Sequence, residues 1–183
     1  MAAERILTPR VGLEEIRAAR KILSKVVATT PVVRSRALSE LCAGPVFFKC
    51  ENLQRTGSFK IRGAYTRMHR LDPEQRARGV VTASAGNHAQ GVALAAQMLG
   101  TPATVFMPET AALPKVEATR GYGAEVRLVG ESVEQCLVAA VEMAHRSGAV
   151  FVHPFDHPDV IAGQGTVGWE IVEQVKGLTR DVA

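Results

Sequence analysis

The run Glu51-Asn52-Leu53-Gln54-Arg55-Thr56-Gly57-Ser58-Phe59-Lys60-Ile61-Arg62-Gly63-Ala64 sets one lysine directly after Ser58-Phe59, at a turn from strand to helix. A lysine amine attacks a carbonyl only when deprotonated, and burial lowers the fraction held as ammonium. Val46, Phe47 and Phe48 make the approach apolar on one side, and Thr56 and Ser58 offer hydroxyls where a helix could begin. Lys60 is therefore the candidate nucleophile for Schiff-base chemistry. A solvated lysine on the first turn of a helix is the plainer alternative, and the string around Lys60 weighs against it.

A second string, Ser84-Ala85-Gly86-Asn87-His88-Ala89-Gln90-Gly91, falls where a strand gives way to a helix. Ligands gather outside the carboxyl ends of parallel strands. Free backbone amides in the first turn of a helix, with Ser84, Asn87 and His88 beside them, would suit a small anion such as a carboxylate. The competing reading is structural: Ser84 or Asn87 caps the helix, Gly86 makes the turn and His88 is a polar surface residue. No GxGxxG follows any predicted strand, so the dinucleotide fingerprint is absent.

The elements that must position these strings follow from periodicity. Leu13, Ile16, Ala19, Leu23 and Val26 recur at helical spacing and predict a helix over 11–27, stopped by Thr29-Thr30-Pro31. A short helix over 35–41, a strand over 46–49 and a helix over 58–71 come next. Strands over 79–83, 103–107, 125–129 and 149–152 then alternate with helices over 87–99, 114–120, 133–146 and 166–175. Such succession, with short Gly- and Pro-marked joints, predicts an α/β fold with a parallel sheet covered by helices.

Composition bounds the function. With 183 residues, 46% hydrophobic and 22% charged, the chain is long enough for one sizeable core or a domain and part of another. The net charge of +4 comes from basic residues spread without a block, which argues against nucleic acid as a partner. Cys42, Cys50 and Cys136 lack CxxC spacing, indicating neither a disulfide framework nor a zinc site and fitting a reducing cytoplasm. No apolar segment approaches bilayer-spanning length, so no membrane partner is expected. His69, His145, His153 and His157 are expected at the surface or as caps, with no metal site; Trp169 as helix packing; and Glu109, Glu117, Glu125 and Glu131 as solvated charges.

Taken together, Lys49 to Ala64 and Ser84 to Gly91 resemble the threonine ammonia-lyase (threonine dehydratase) branch of the fold-type II, tryptophan synthase β-like, pyridoxal-phosphate enzymes. Supporting matches are Met107-Pro108, Pro114-Lys115, Gly121-Tyr122-Gly123-Ala124-Glu125-Val126 and Gly163-Gln164-Gly165-Thr166, so the likeness extends over about 13–173. The resemblance implies pyridoxal 5'-phosphate as cofactor, bonded to Lys60, with Phe59 as the aromatic beside it and Asn87 hydrogen-bonded to its ring hydroxyl. It implies that Ser84, Ala85, Gly86, Asn87 and His88 bind the substrate carboxylate, and that freed Lys60 takes the α-proton. The implied reaction converts L-threonine to 2-oxobutanoate and ammonia, or L-serine to pyruvate and ammonia, within amino-acid metabolism such as isoleucine biosynthesis. The complete enzyme is expected to be a homo-oligomer.

A serine racemase or a β-replacing relative is the alternative on the same fold. The racemases place a serine where Ala85 stands, and alanine cannot deliver a proton to the second face of a carbanion. By the same resemblance, residues about 53–155 form a small domain, with 1–52 and 156–183 belonging to an incomplete larger one. The glycine-rich phosphate loop and the pyridine-nitrogen partner of the family have no counterpart in the sequence. The chain alone is therefore expected to lack turnover, with its helices over 11–27 and 166–175 left without partners for their apolar faces. A non-catalytic chain associating with a full-length subunit is the remaining alternative.

Overall fold

The computed structural model describes residues 11–177. Its central feature is a four-stranded parallel sheet in the order β5-β4-β3-β6, made of β3 (Val80–Ala83), β4 (Ala103–Met107), β5 (Glu125–Leu128) and β6 (Val150–Phe151). Every residue of β3 and β4 is buried, as a parallel sheet covered on both faces requires. Alternation along the strands divides the core. Val80, Val105 and Met107 point to one side, against α3 (Lys60–His69) and α5 (Asn87–Leu99), while Val81, Ala83 and Phe106 meet Cys136 and Ala140 of α7 (Val133–Ser147) on the other.

Two elements lie outside that alternation. Val32–Ser35 forms β1, which pairs antiparallel with β2 (Val46–Lys49) in a separate two-stranded sheet with Val32 opposite Lys49. Between them runs α2 (Arg36–Leu41), started by Ser35, whose hydroxyl accepts from Leu38 N. Pro73–Arg78 forms α4 behind a capping box in which Asp72 and Gln75 take each other's backbone amides. Neither β1 nor α4 was expected, because each is too short to show a periodicity.

The first and last described helices meet. The first helix, α1 (Leu13–Leu23), packs on α8 (Pro158–Gln174); Arg20 makes two 2.7 Å bonds to Glu173, and Arg17 and Arg20 lie over the Trp169 ring. These helices are therefore partnered by one another, contrary to the expectation of unmatched faces, although Leu13 and Val172 stay exposed. The last described helix also begins eight residues before the expected 166–175 segment. Glycines at 163, 165 and 168 lower its apparent helix propensity. At Gly163 the reason is contact: a Cβ there would lie 2.5 Å from the Arg62 carbonyl of α3.

That close approach lets a buried charge cluster form. Arg62 has no exposed surface and spends all of its N–H donors. Nε and Nη2 reach Glu51, Nη1 and Nη2 reach Glu170, and Nη1 also reaches Thr166, all at 2.7–3.1 Å. Lys49 lies 2.6 Å from Glu170 and donates to the Thr30 carbonyl, while the Thr30 hydroxyl donates to Glu51. Burial pushes the Glu170 carboxyl up, but bonds from Arg62 and Lys49 outweigh it and hold the group ionised. One cluster thus joins the chain at Thr30, β2, α3 and α8. Among the described residues no helix is long and apolar enough to cross a membrane.

Removing one carboxylate leaves two buried cations short of a partner, which costs about 3–5 kcal/mol. Glu170→Ala is expected to lower stability by that amount, read from the urea midpoint, whereas Glu14→Ala, at an exposed pair on α1, is expected to change it by well under 1 kcal/mol.

Candidate functional site

The sheet order has a switch point. From β3 the chain moves outward through β4 and β5, then returns so that β6 lies on the opposite side of β3. In open α/β sheets the loops at such a point flank the crevice where ligands bind, and here they are the loops leaving the carboxyl ends of β3 and β6. Ser84–Gly86 follows β3, and Val152–Pro154 follows β6.

Lys60 arrives at this crevice as the first residue of α3. Residues two apart on a helix differ by about 200°, so Lys60 and Arg62 face opposite sides. Arg62 is fixed toward α8, and Lys60 is thereby turned toward α5. At Gly91 the two helices nearly touch: a Cβ there would lie 3.0 Å from the Lys60 carbonyl carbon and 3.2 Å from its Cβ. The Lys60 amine donates to the Pro154 carbonyl at 2.9 Å and lies 5.2 Å from the centre of the exposed Phe59 ring. Half-buried and, among the described residues, with no carboxylate bonded to it, Lys60 has its pKa lowered by desolvation.

The source of that desolvation differs from the expectation. Phe47 and Phe48 of β2 are exposed, and the burial of Lys60 comes from α5 and the Pro154 loop. Capping at the start of α3 is also slight. The Ser58 hydroxyl accepts from Lys60 N at 3.5 Å, and the Thr56 hydroxyl is buried without a partner. Thr56 itself has φ +65°, a left-handed conformation that costs a β-branched residue on the order of 1–2 kcal/mol. Gln54 steadies this turn by bonding both the amide and the carbonyl of Ala28.

The second string brings its residues to the same crevice. Ser84 accepts from Gly86 N at 3.2 Å, shaping the loop and leaving α5 with Gly86 as N-cap and no side-chain cap. The first-turn amides of α5 are therefore available, and Asn87 is exposed, as a binding turn requires. Ala85 is half-buried in the loop. His88 departs from the reading of a polar surface residue, being 3% exposed. Its Nε2 lies 3.2 Å from the Val152 carbonyl, which also accepts from the Thr82 hydroxyl at 2.8 Å. A carbonyl can only accept, so Nε2 carries the hydrogen and Nδ1 is bare and without a partner. Burial, with the nearby Lys60 and His153, lowers the His88 pKa to about 4 against the pull of the Val152 bond.

Two of the other histidines behave as caps. His153 Nδ1 accepts from Phe155 N and Asp156 N, fixing the turn that carries the Pro154 carbonyl, and His157 Nδ1 accepts from Asp159 N at the start of α8. The positioning residues Glu51, Arg62 and Glu170 and the Pro154 carbonyl carried no role in the sequence reading. The signal available for Arg62 was its place two residues beyond Lys60 on one helix.

A family model described as pyridoxal-phosphate dependent enzyme matches residues 23–183. The L-threonine ammonia-lyase of Thermotoga maritima is 53% identical over 90% of this chain and 41% of its own length; that of Geobacter sulfurreducens is 54% identical over 84% and 38%. The chain thus spans about two-fifths of the length of these relatives. Among solved structures, maize serine racemase superposes with a TM-score of 0.87 at 39% identity, covering 92% of this chain and 51% of that one. The processed threonine deaminase isoform 2 of Solanum lycopersicum gives 0.83 at 41%, covering 90% and 45%.

Neutral burial of His88 has a pH signature. Its folded pKa of about 4 lies below the ordinary 6.5, so the unfolded chain takes up a proton that the folded chain refuses. Stability from this group is complete above pH 6.5 and is lost as pH falls toward 4, by at most about 3 kcal/mol. Urea midpoints at pH 7 and pH 4.5 are expected to differ less in His88→Gln than in the wild type; equal differences would contradict the assignment.

Proposed function

We propose, since this chain belongs to the pyridoxal-phosphate dependent enzymes, that its crevice carries out the dehydration and deamination of L-threonine to 2-oxobutanoate and ammonia, and of L-serine to pyruvate and ammonia. What chiefly supports this reading is the Lys60 amine, half-buried and lowered in pKa, turned toward the uncapped first turn of α5 at the switch point of a parallel sheet. The relatives named L-threonine ammonia-lyase support the choice of reaction.

The residues present fit the cofactor. Lys60 offers an amine of lowered basicity, Phe59 an exposed aromatic face beside that amine, and Asn87 an exposed side-chain amide for the ring hydroxyl. Bound there, pyridoxal phosphate supplies an electron sink that stabilises negative charge at the substrate α-carbon. The chain supplies the rest. Lys60 Nζ takes the α-proton, its neutral form favoured by desolvation. The Ser84–His88 loop binds the carboxylate through backbone amides and fixes which α-bond faces Lys60. The Pro154 carbonyl holds the amine when it is free. Neutral His88 lies behind the loop as a support, bonded to Val152.

Serine racemase is favoured as a second reading by the solved structures this chain superposes on. Ala85 opposes it, because its methyl group can neither give nor take a proton.

In a form extended to the length of the L-threonine ammonia-lyase relatives, borohydride reduction of the cofactor-loaded protein is expected to fix pyridoxal phosphate to Lys60, and Lys60→Ala is expected to abolish turnover with the fold retained; a label on Lys25, Lys49 or Lys115 would overturn the assignment. With L-serine as substrate, chiral chromatography is expected to show pyruvate without appreciable D-serine. D-serine accumulating at a rate comparable to pyruvate would favour the racemase reading.

A further inference from the structure

We propose that His153 is a positioning residue for Lys60, turning the Pro154 carbonyl so that the free amine presents its lone pair in one direction, to the substrate α-proton. The inference rests on the reading of Lys60 as the group that takes that proton. His153 leaves the sheet just after Val152, whose amide donates to the Val81 carbonyl at 2.9 Å. Its Nδ1 accepts from Phe155 N at 3.2 Å and from Asp156 N at 2.7 Å, so that nitrogen is bare and the hydrogen of the neutral ring sits on Nε2. Asparagine and aspartate commonly make such a turn, with a side-chain oxygen on nearby amides ahead of it; here an imidazole makes it. The ring meets two aromatic neighbours edge to face, Phe151 at 6.1 Å and 78° and Phe155 at 4.6 Å and 87°, which fixes its orientation.

One planar group carries this order to the amine. No peptide bond among the described residues is cis, so across the Pro154–Phe155 peptide the C=O and N–H point in opposite directions. With the Phe155 N–H drawn to the imidazole, the Pro154 carbonyl points away from it, and there it accepts from Lys60 Nζ at 2.9 Å. Proline at 154 adds to this by restricting its own φ. A neutral amine has two hydrogens and one lone pair. Donating one hydrogen to Pro154 stops rotation about the Cε–Nζ bond and gives the lone pair a single direction. An imidazole with a hydrogen on Nδ1 would meet both amides with another N–H, and the peptide would lose its anchor. His153 therefore acts through the Pro154–Phe155 peptide, and what it requires is a bare acceptor at the Nδ1 position.

The test uses a form extended to the length of the L-threonine ammonia-lyase relatives. In cofactor-free protein, acetylation of Lys60 by acetic anhydride is followed by peptide mass spectrometry, with Lys115, exposed on α6 (Leu113–Gly121), as internal reference. His153→Leu is expected to raise the Lys60 rate about fivefold, the effect of releasing one hydrogen bond, whereas His153→Asn, which keeps an acceptor for the amides, is expected to stay within about twofold of the wild type. In cofactor-loaded protein, His153→Leu is expected to lower kcat for L-threonine about tenfold with KM within about twofold, and His153→Asn to recover most of the loss. ¹⁵N NMR of the neutral wild-type imidazole needs no variant and is expected to show the hydrogen on Nε2. An unchanged Lys60 rate or kcat in His153→Leu, an equal change in both variants, or a hydrogen on Nδ1 overturns the proposal and leaves the dehydratase reading intact. The expected acetylation rates in a protein that makes no 2-oxobutanoate would uphold the orientation of Lys60 by His153 and overturn that reading instead.

Discussion

Arg62, with every N–H donor matched to an acceptor in a site without solvent, is the constraint on which the rest of the structure depends. A buried guanidinium is costly to desolvate, and two bidentate carboxylates with one hydroxyl offset that cost only in a single geometry. The cluster therefore acts as a register pin more than as a source of stability. It fixes the rotation of α3 about its axis, and because Lys60 lies about 200° away on that helix, it fixes where the amine points. Gly163 on one flank and Gly91 on the other allow α8 and α5 to close on α3 and hold that rotation.

The same rotation connects the site to the sheet. Lys60 bonds the Pro154 carbonyl, two residues beyond the Val152 carbonyl that receives both Thr82 and His88. The amine, the α5 turn and the end of β6 thus share one short stretch of backbone. His88, neutral and buried, can hold that stretch without adding a charge that would compete with Lys60 or attract the substrate to the wrong place. The crevice combines an amine kept partly from water with amides left open to it, which is the contrast that condensation with a carbonyl and recognition of a carboxylate require.

The alternation from β3 onward was legible because each parallel strand is a short apolar run between Gly and Pro joints, and the structure keeps those strands to within a residue or two. Lys60 at the start of α3 and the Ser84–His88 loop after β3 lie where the sequence placed them, at the start of a helix and beyond a strand's carboxyl end. Other features were hidden for physical reasons. Four residues of β1 carry no periodicity and are fixed by pairing with β2. The early turns of α8 were concealed by Gly163 and Gly165, which let α3 and α1 approach closely at the expense of helix propensity. His88 resembles any helix-start polar residue until the fold buries it. The partnership of Glu51, Arg62 and Glu170 spans residues far apart in sequence, so charge pattern alone could not join them.

The central claim is that α3, held by Arg62, presents Lys60 as an amine less basic than a solvated lysine. Reductive methylation with ¹³C-formaldehyde, followed by an NMR pH titration of the lysine methyl signals with Lys60→Arg to assign the resonance, measures this directly. The account predicts that Lys60 titrates at lower pH than a solvated lysine amine. A Lys60 signal that titrates together with those of the exposed lysines would contradict it.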